Sequence, residues 1–257
     1  MSTSLRVHEG GGGEPVLILL HGLGATGDVW NAWRPLLAER WPGRWLAPDL
    51  PGHGGSPPPS EYTFGGLAGA VGGLVGSGSP AVVLGHSLGG AVGLALADDR
   101  FGAQVQAVIG LGIKVAWADE ELQRAQAVAR RPLAWYGSRD EAAARYLRVS
   151  GLAGLLAADD PAVNAGLSEQ DGQWRLAMDQ RAFAIGAPDM GELLARCRAP
   201  VTLARGENDP MNTDQQLARL GVPTVTLPGL GHNAHVESPR LSAGLLDRWL
   251  TSPMPGQ

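Results

Sequence analysis

The stretch Ala81-Val-Val-Leu-Gly-His-Ser-Leu-Gly-Gly90 decides the fold. An apolar run of strand character ends at Gly85, Ser87 sits between Gly85 and Gly89, and a small-residue helix pattern follows. That layout suits a sharp strand-to-helix turn that lifts a serine hydroxyl clear of a sheet. Such a turn forces the serine into strained backbone angles, so the residues two positions away must be small. With 38 glycines in 257 residues, the chain meets G-x-S-x-G by chance roughly 0.3 times, so context decides. If the turn is real, the rest of the chain must supply a base, an acid and donors for a developing oxyanion.

Further short apolar runs flank this one at Val16–Leu20, Trp45–Leu50, Val105–Leu111, Val201–Ala204 and Thr224–Leu227. Each is nearly continuous in apolar residues, as in strands buried on both faces of a parallel sheet. Helical stretches lie between them, Leu67–Val75 among them, which predicts a doubly wound α/β fold. Leu5–His8 adds an edge strand, and Gly10–Gly13 reads as a turn. The alternation breaks from Ile113 to Pro188, where helix signals appear without a convincing strand. Ser138-Arg-Asp-Glu141 matches a capping box, and Asp160-Pro161 pairs an N-cap with a proline at the first helical position. The expected organisation is a core of residues 1–112 and 189–257 with a helical cap of 113–188 inserted as a lid.

Composition narrows the partners. A net charge of −5 without a Lys/Arg cluster argues against nucleic acid. No apolar stretch approaches the roughly 18 residues that span a bilayer, and Met1-Ser-Thr-Ser-Leu-Arg6 lacks the apolar core of a signal peptide. The single cysteine, Cys197, forms no intrachain disulfide or thiolate cluster and reads as a small core filler. The expectation is a cytoplasmic protein, monomer or homodimer, acting on a small molecule without metal or organic cofactor.

Four more segments follow predicted strands. Leu19-Leu-His-Gly-Leu-Gly24 turns so that the Leu23 N–H, together with that of Leu88, is placed to form an oxyanion site. Pro48-Asp-Leu-Pro-Gly-His-Gly-Gly-Ser56 shapes a loop over the sheet edge, with Asp49 and His53 structural. Leu203-Ala-Arg-Gly-Glu-Asn-Asp-Pro210 presents carboxylates; Asp209 is preferred as the triad acid over Glu207 and Asp214. Leu227-Pro-Gly-Leu-Gly-His-Asn-Ala-His235 carries His232 on a loop, preferred as the base over His235, which begins a final helix. Ligands of open parallel sheets bind beyond the carboxyl ends of the strands, where all of these lie.

These pieces together resemble the α/β-hydrolase fold serine hydrolases over nearly the whole chain. The matching residues are His21-Gly22, Asp49–Gly54, Gly85–Gly89, Gly206–Asp209 and Gly231–Pro239, and the chain order Ser87, Asp209, His232 is that of the fold. The resemblance implies attack by Ser87, proton transfer through His232, orientation by Asp209 and oxyanion stabilisation by the Leu23 and Leu88 amides. It does not fix the substrate, because esterases, lactonases, amidases, C–C bond hydrolases and cofactor-free haloperoxidases share these pieces. Epoxide hydrolases and haloalkane dehalogenases of the fold carry aspartate at the elbow, and Ser87 argues against both. Ester or lactone hydrolysis is the leading expectation. A C–C bond hydrolase of the meta-cleavage type, or another specialised lyase-like reaction on the same triad, is the alternative, and a non-catalytic receptor is disfavoured by the intact set.

The cap supplies candidate pocket residues. Trp117, Trp135, Tyr136, Trp174 and Phe183 either line an apolar acyl pocket or pack the cap onto the core. Arg175 and Arg181 either hold a substrate carboxylate or pair with Asp179 and other cap carboxylates, the second being expected.

Overall fold

The apolar runs become sheet strands in the computed structural model, which describes residues 4–76 and 78–250. Residues 1–3, on which part of the leader reading rests, lie outside the described residues, as do Ser77 and 251–257. The strands in chain order are β1 (Val7–Gly10), β2 (Val16–Leu20), β3 (Trp45–Pro48), β4 (Pro80–His86), β5 (Gln104–Leu111), β6 (Leu167–Gln170), β7 (Gln173–Leu176), β8 (Val201–Gly206) and β9 (Thr224–Leu227). Seven of them form one sheet in the order β1-β3-β2-β4-β5-β8-β9. Its ladders are parallel throughout except β1 with β3.

Side-chain alternation assigns the two faces of the sheet. Leu17 and Leu19 of β2, with Val82 and Leu84 of β4, join a core containing Trp30, Trp33 and Trp41. Val16, Ile18 and Leu20, with Ala81 and Val83, join a second core on the opposite face. All five residues of β2 are buried, which is why the run carries no polar alternation.

Eight helices matter for the site: α1 (Arg34–Arg40), α2 (Phe64–Gly72), α3 (Leu88–Leu96), α4 (Asp119–Ala129), α5 (Arg139–Val149), α6 (Pro161–Ala165), α7 (Met190–Arg196) and α8 (Asp214–Ala218). Helix α3 is buried along its whole length, and its small residues permit that. A Cβ added at Gly93 would lie 2.8 Å from Val83 Cγ1, so glycine lets the helix press directly on β4.

Between β5 and β8 the chain leaves the sheet and builds α4, α5, α6, the β6–β7 hairpin and a 3-10 helix at Gln180–Ile185. The hairpin corrects the expectation of a strand-free, helical insertion: Leu167–Gln170 pairs antiparallel with Gln173–Leu176. Trp174 and Arg175 therefore sit on a strand. Both predicted helix starts hold, the first with only the serine half of its capping box. Ser138 Oγ accepts the Glu141 N–H, and Asp160 Oδ1 accepts the Ala162 N–H with Pro161 in the first turn. Helix α5 stops at Val149, because Gly151 takes φ +71 and the Leu152 N–H bonds back to the Leu147 carbonyl. That is the left-handed closure that ends many helices.

Candidate active site

Ser87 joins β4 to α3 at φ 51 and ψ −116, a backbone geometry costing a non-glycine residue about 1–3 kcal/mol. The surroundings hold it there. The Ser87 N–H donates to the Leu111 carbonyl at 2.8 Å, and the Ser87 carbonyl accepts the Gly90 N–H at 3.0 Å. Both flanking glycines are obligatory. A Cβ at Gly85 would lie 2.3 Å from the Gly89 carbonyl oxygen, and one at Gly89 would lie 2.5 Å from that of Leu20.

Asp209 and His232 meet at the ends of β8 and β9. The His232 Nδ1–H lies 3.1 Å and 3.2 Å from the two Asp209 carboxylate oxygens. Asp209 is fully buried at its side chain, whereas the His232 side chain keeps 19 % exposure. Asp209 Oδ1 also accepts the Met211 N–H at 2.9 Å, which fixes the carboxylate. The two alternative acids are engaged elsewhere: Glu207 accepts the Gly229 N–H, and Asp214 pairs with Arg205 and the Thr226 hydroxyl. Gly112 links this pair to the serine. It follows Leu111, which holds the Ser87 N–H, and a Cβ on it would lie 3.3 Å from His232 Cε1 and 3.4 Å from Asp209 Oδ2. Among the described residues no hydrogen bond joins Ser87 Oγ to the His232 ring; such bonds are often long in the absence of substrate.

Three further histidines, His86, His235 and His21, form the frame. His86 donates from Nε2 to the His232 carbonyl at 2.9 Å, and its ring lies 4.7 Å from that of His232 and 4.3 Å from that of His235. His235 in turn lies 4.6 Å from Trp30. A column of rings thus runs from the buried core to His232. Burial pushes the His86 imidazole well below its ordinary range, reinforced by His235 and His232. His21 donates from Nδ1 to the Gly22 carbonyl and accepts the Leu50 N–H at Nε2, so it is neutral and ties β2 to β3. Asp49 is structural too, accepting the Gly27 and Gly55 N–H groups and pairing with Arg6.

Two asparagines escaped the sequence reading. Asn212 donates to the Ile113 carbonyl and accepts the Val115 N–H, fastening the start of the cap to the Asp209 loop. Asn233 donates to the Gly151 carbonyl at 3.0 Å, fastening the end of α5 beside His232. Neither had a local signal, because each partner lies some hundred residues away.

Ser87 opens into a pocket of about 80 Å³ that Leu23, Leu88, Phe64, Ile113, Trp117 and Ile185 help to line. Leu23 and Leu88 are therefore together at the serine, and the Leu88 N–H is the first of α3, one of the donors without a partner inside a helix. Of the seven cap residues singled out in the sequence, Trp117 alone borders this one. Trp135 and Arg181 line a separate cavity of about 510 Å³, and Tyr136 and Phe183 line another of about 380 Å³. Trp174 pairs its backbone with that of Tyr136. Arg181 is chelated by Asp179, at 2.6 Å in its shortest contact, so the expected ion pair forms. Arg175 instead lies over the Trp135 ring at 5.6 Å. Phe64 and Ile185 were missed, since nothing local marks an apolar residue as pocket-lining.

Among the described residues no group of three or more His, Cys, Asp or Glu side chains is arranged to hold a metal ion. No helix there is long and apolar enough to cross a membrane.

Comparison with known proteins agrees with this architecture. The sequence model of the alpha/beta hydrolase family matches residues 17–244. The chain is 31% identical over 251 residues to a 2-succinyl-6-hydroxy-2,4-cyclohexadiene-1-carboxylate synthase of Salmonella newport, covering 91% of this chain and 92% of that protein. It is 39% identical over 95 residues to a pimeloyl-[acyl-carrier protein] methyl ester esterase of Methylococcus capsulatus. That match spans about a third of either protein, 37% of this chain and 36% of the esterase. Among solved structures, an E-2-(acetamidomethylene)succinate hydrolase superposes with a TM-score of 0.81 at 22% identity, over 96% of this chain and 95% of that one.

Proposed function

We propose that this chain, which belongs to the alpha/beta hydrolase family, hydrolyses a carboxylic ester or lactone of a small, largely apolar substrate through an acyl-enzyme on Ser87. The observation that carries the reading is one rim of the sheet. There a strained serine and two leucines of the turn segments border a mostly apolar pocket, and a carboxylate-bound histidine lies against Gly112, next to the Leu111 carbonyl that holds the serine N–H.

In this reading Ser87 Oγ attacks the carbonyl carbon while the free Nε2 of His232 takes its proton. Asp209 holds the other ring nitrogen as the donor and stabilises the imidazolium that forms. The Leu23 and Leu88 amides meet the oxyanion, each contributing about 3 kcal/mol. His232 then protonates the leaving alkoxide and activates the water that releases the acid, returning Ser87 to its starting state.

A second reading, C–C bond cleavage or another specialised reaction in place of ester hydrolysis on the same residues, has one finding in its support. A curated relative that matches nearly end to end is called a carboxylate synthase, whereas the esterase matches over about a third of its length.

A p-nitrophenyl ester panel run beside fluorophosphonate labelling, on wild type and Ser87→Ala, separates the readings. Labelling and short-chain ester turnover in wild type, and neither in the variant, is the expected result. Equal turnover by Ser87→Ala refutes nucleophilic attack by this serine, and labelling without ester turnover favours the C–C reading.

A further inference from the structure

Three cap arginines point to what the substrate carries. Arg131, Arg145 and Arg148 line one cavity of about 380 Å³. Other cap arginines are neutralised, Arg139 beside Asp140 and Arg181 by Asp179, but among the described residues no carboxylate forms an ion pair with these three. Arg145 and Arg148 stand three positions apart on α5 and so share a face, a like-charge arrangement that weakens a helix. Arg131 arrives from a different segment, after α4, where Gln180 Nε2 holds its carbonyl at 3.3 Å. Cations gathered from two segments around one cavity, without an anion of the protein among them, leave a positive site that an external anion would complete.

One short element reaches both this cavity and the serine pocket. Phe183 lines the first and Ile185 lines the second. Both belong to the 3-10 helix Gln180–Ile185, two residues or roughly 4 Å of rise apart. Val149, also lining the cavity, packs on Gly24 so closely that a Cβ there would lie 2.7 Å from Val149 Cγ1. Gly24 follows Leu23, one of the two leucines at Ser87.

We propose that Arg131, Arg145 and Arg148 bind a carboxylate on the substrate, so that the preferred ester or lactone carries a free acid group on its acyl side. The guanidinium fork matches a carboxylate in two parallel hydrogen bonds. This assignment rests on the ester-hydrolase reading above.

The test compares p-nitrophenyl butyrate with the mono-p-nitrophenyl ester of glutaric acid, on wild type, Arg145→Gln/Arg148→Gln and the remote control Arg219→Gln. Wild type is expected to favour the acidic ester at least tenfold in kcat/KM. The double variant should lower that preference at least tenfold, an arginine–carboxylate contact being worth about tenfold or more, and Arg219→Gln should keep it. Calorimetry supplies a readout independent of turnover: glutarate should bind Ser87→Ala and fail to bind Ser87→Ala/Arg145→Gln/Arg148→Gln. A wild-type preference near one, with no glutarate binding to Ser87→Ala, overturns the proposal. Arginine-dependent glutarate binding in an enzyme that turns over neither ester keeps the carboxylate site and removes the ester-hydrolase reading.

Discussion

Asp209 shows most directly what a single residue contributes. Its two oxygens face the His232 Nδ1–H, so an amide in its place presents a donor to a donor and favours the wrong tautomer. Asp209→Asn is expected to lower kcat by roughly 10³- to 10⁴-fold with little change in melting temperature. Ester hydrolysis within tenfold of wild type would remove Asp209 from the triad. Gly89 is a purely steric counterpart. Its added methyl would lie 2.5 Å and 2.6 Å from the Leu20 and His21 carbonyl oxygens, both backbone atoms at the end of a buried strand. Gly89→Ala should cost about 3 kcal/mol or more, read as a lowered urea midpoint, and a shift under 0.5 kcal/mol would contradict the packing described. Residues like these were legible because the chemistry imposes both a residue type and a place after a strand. Asn212 and Asn233 were illegible for the opposite reason: an asparagine that bonds a distant backbone group leaves no trace in its own neighbourhood.

At the scale of elements, the sheet strands could be read because burial on both faces erases polar alternation, and the same logic hid β6 and β7. Their residues, Leu-Ser-Glu-Gln and Gln-Trp-Arg-Leu, are half-buried to exposed and show no apolar face. The signal lay in the turn. Asp171-Gly172 takes φ 52 and φ 77, and an Asp-Gly pair with both residues at positive φ is a strong short-range mark of a hairpin. The cap as an element depends on its fastenings. Asn212 satisfies the Ile113 carbonyl and the Val115 N–H at the point where the chain leaves β5. Asn212→Ala strands both groups, at a cost of about 1–3 kcal/mol, and should raise deuterium uptake in residues 113–117 while β4 stays protected. Unchanged exchange across 113–117 would show that the cap is anchored without this side chain.

The molecule as a whole carries histidines in places where a charge cannot be accommodated. Burial, the largest cause, lowers His53 and His235 to about 3, and it holds His86 well below the usual range. Neighbouring histidines push each of them further down, His21 against His53 and His232 against both His86 and His235. One nitrogen each on His53 and His235 lacks a hydrogen-bond partner among the described residues, so protonation there gains no acceptor. An unfolded chain binds these protons at its ordinary value near 6.5, while the folded chain refuses them down to about 3 at His53 and His235. The unfolded state therefore holds more protons throughout that window, and stability rises with pH across it. The contribution is fully present above about pH 6.5 and is lost as pH falls below it, at about 1.4 kcal/mol per pH unit per group. By pH 5 His53 and His235 together forfeit on the order of 4 kcal/mol, a large part of the 5–15 kcal/mol typical of a domain. The melting temperature should accordingly fall steeply between pH 7 and pH 5, ahead of the carboxylate range. Replacing one of the three with a neutral side chain isolates the cause from carboxylate titration, because every carboxylate remains. His53→Gln is expected to start less stable at pH 7 yet lose on the order of 2 kcal/mol less between pH 7 and pH 5, measured as unfolding free energy in urea at each pH. Parallel pH profiles for the two proteins would mean that the buried imidazoles accept protons without unfolding, and the acid sensitivity would then have to lie in the carboxylates.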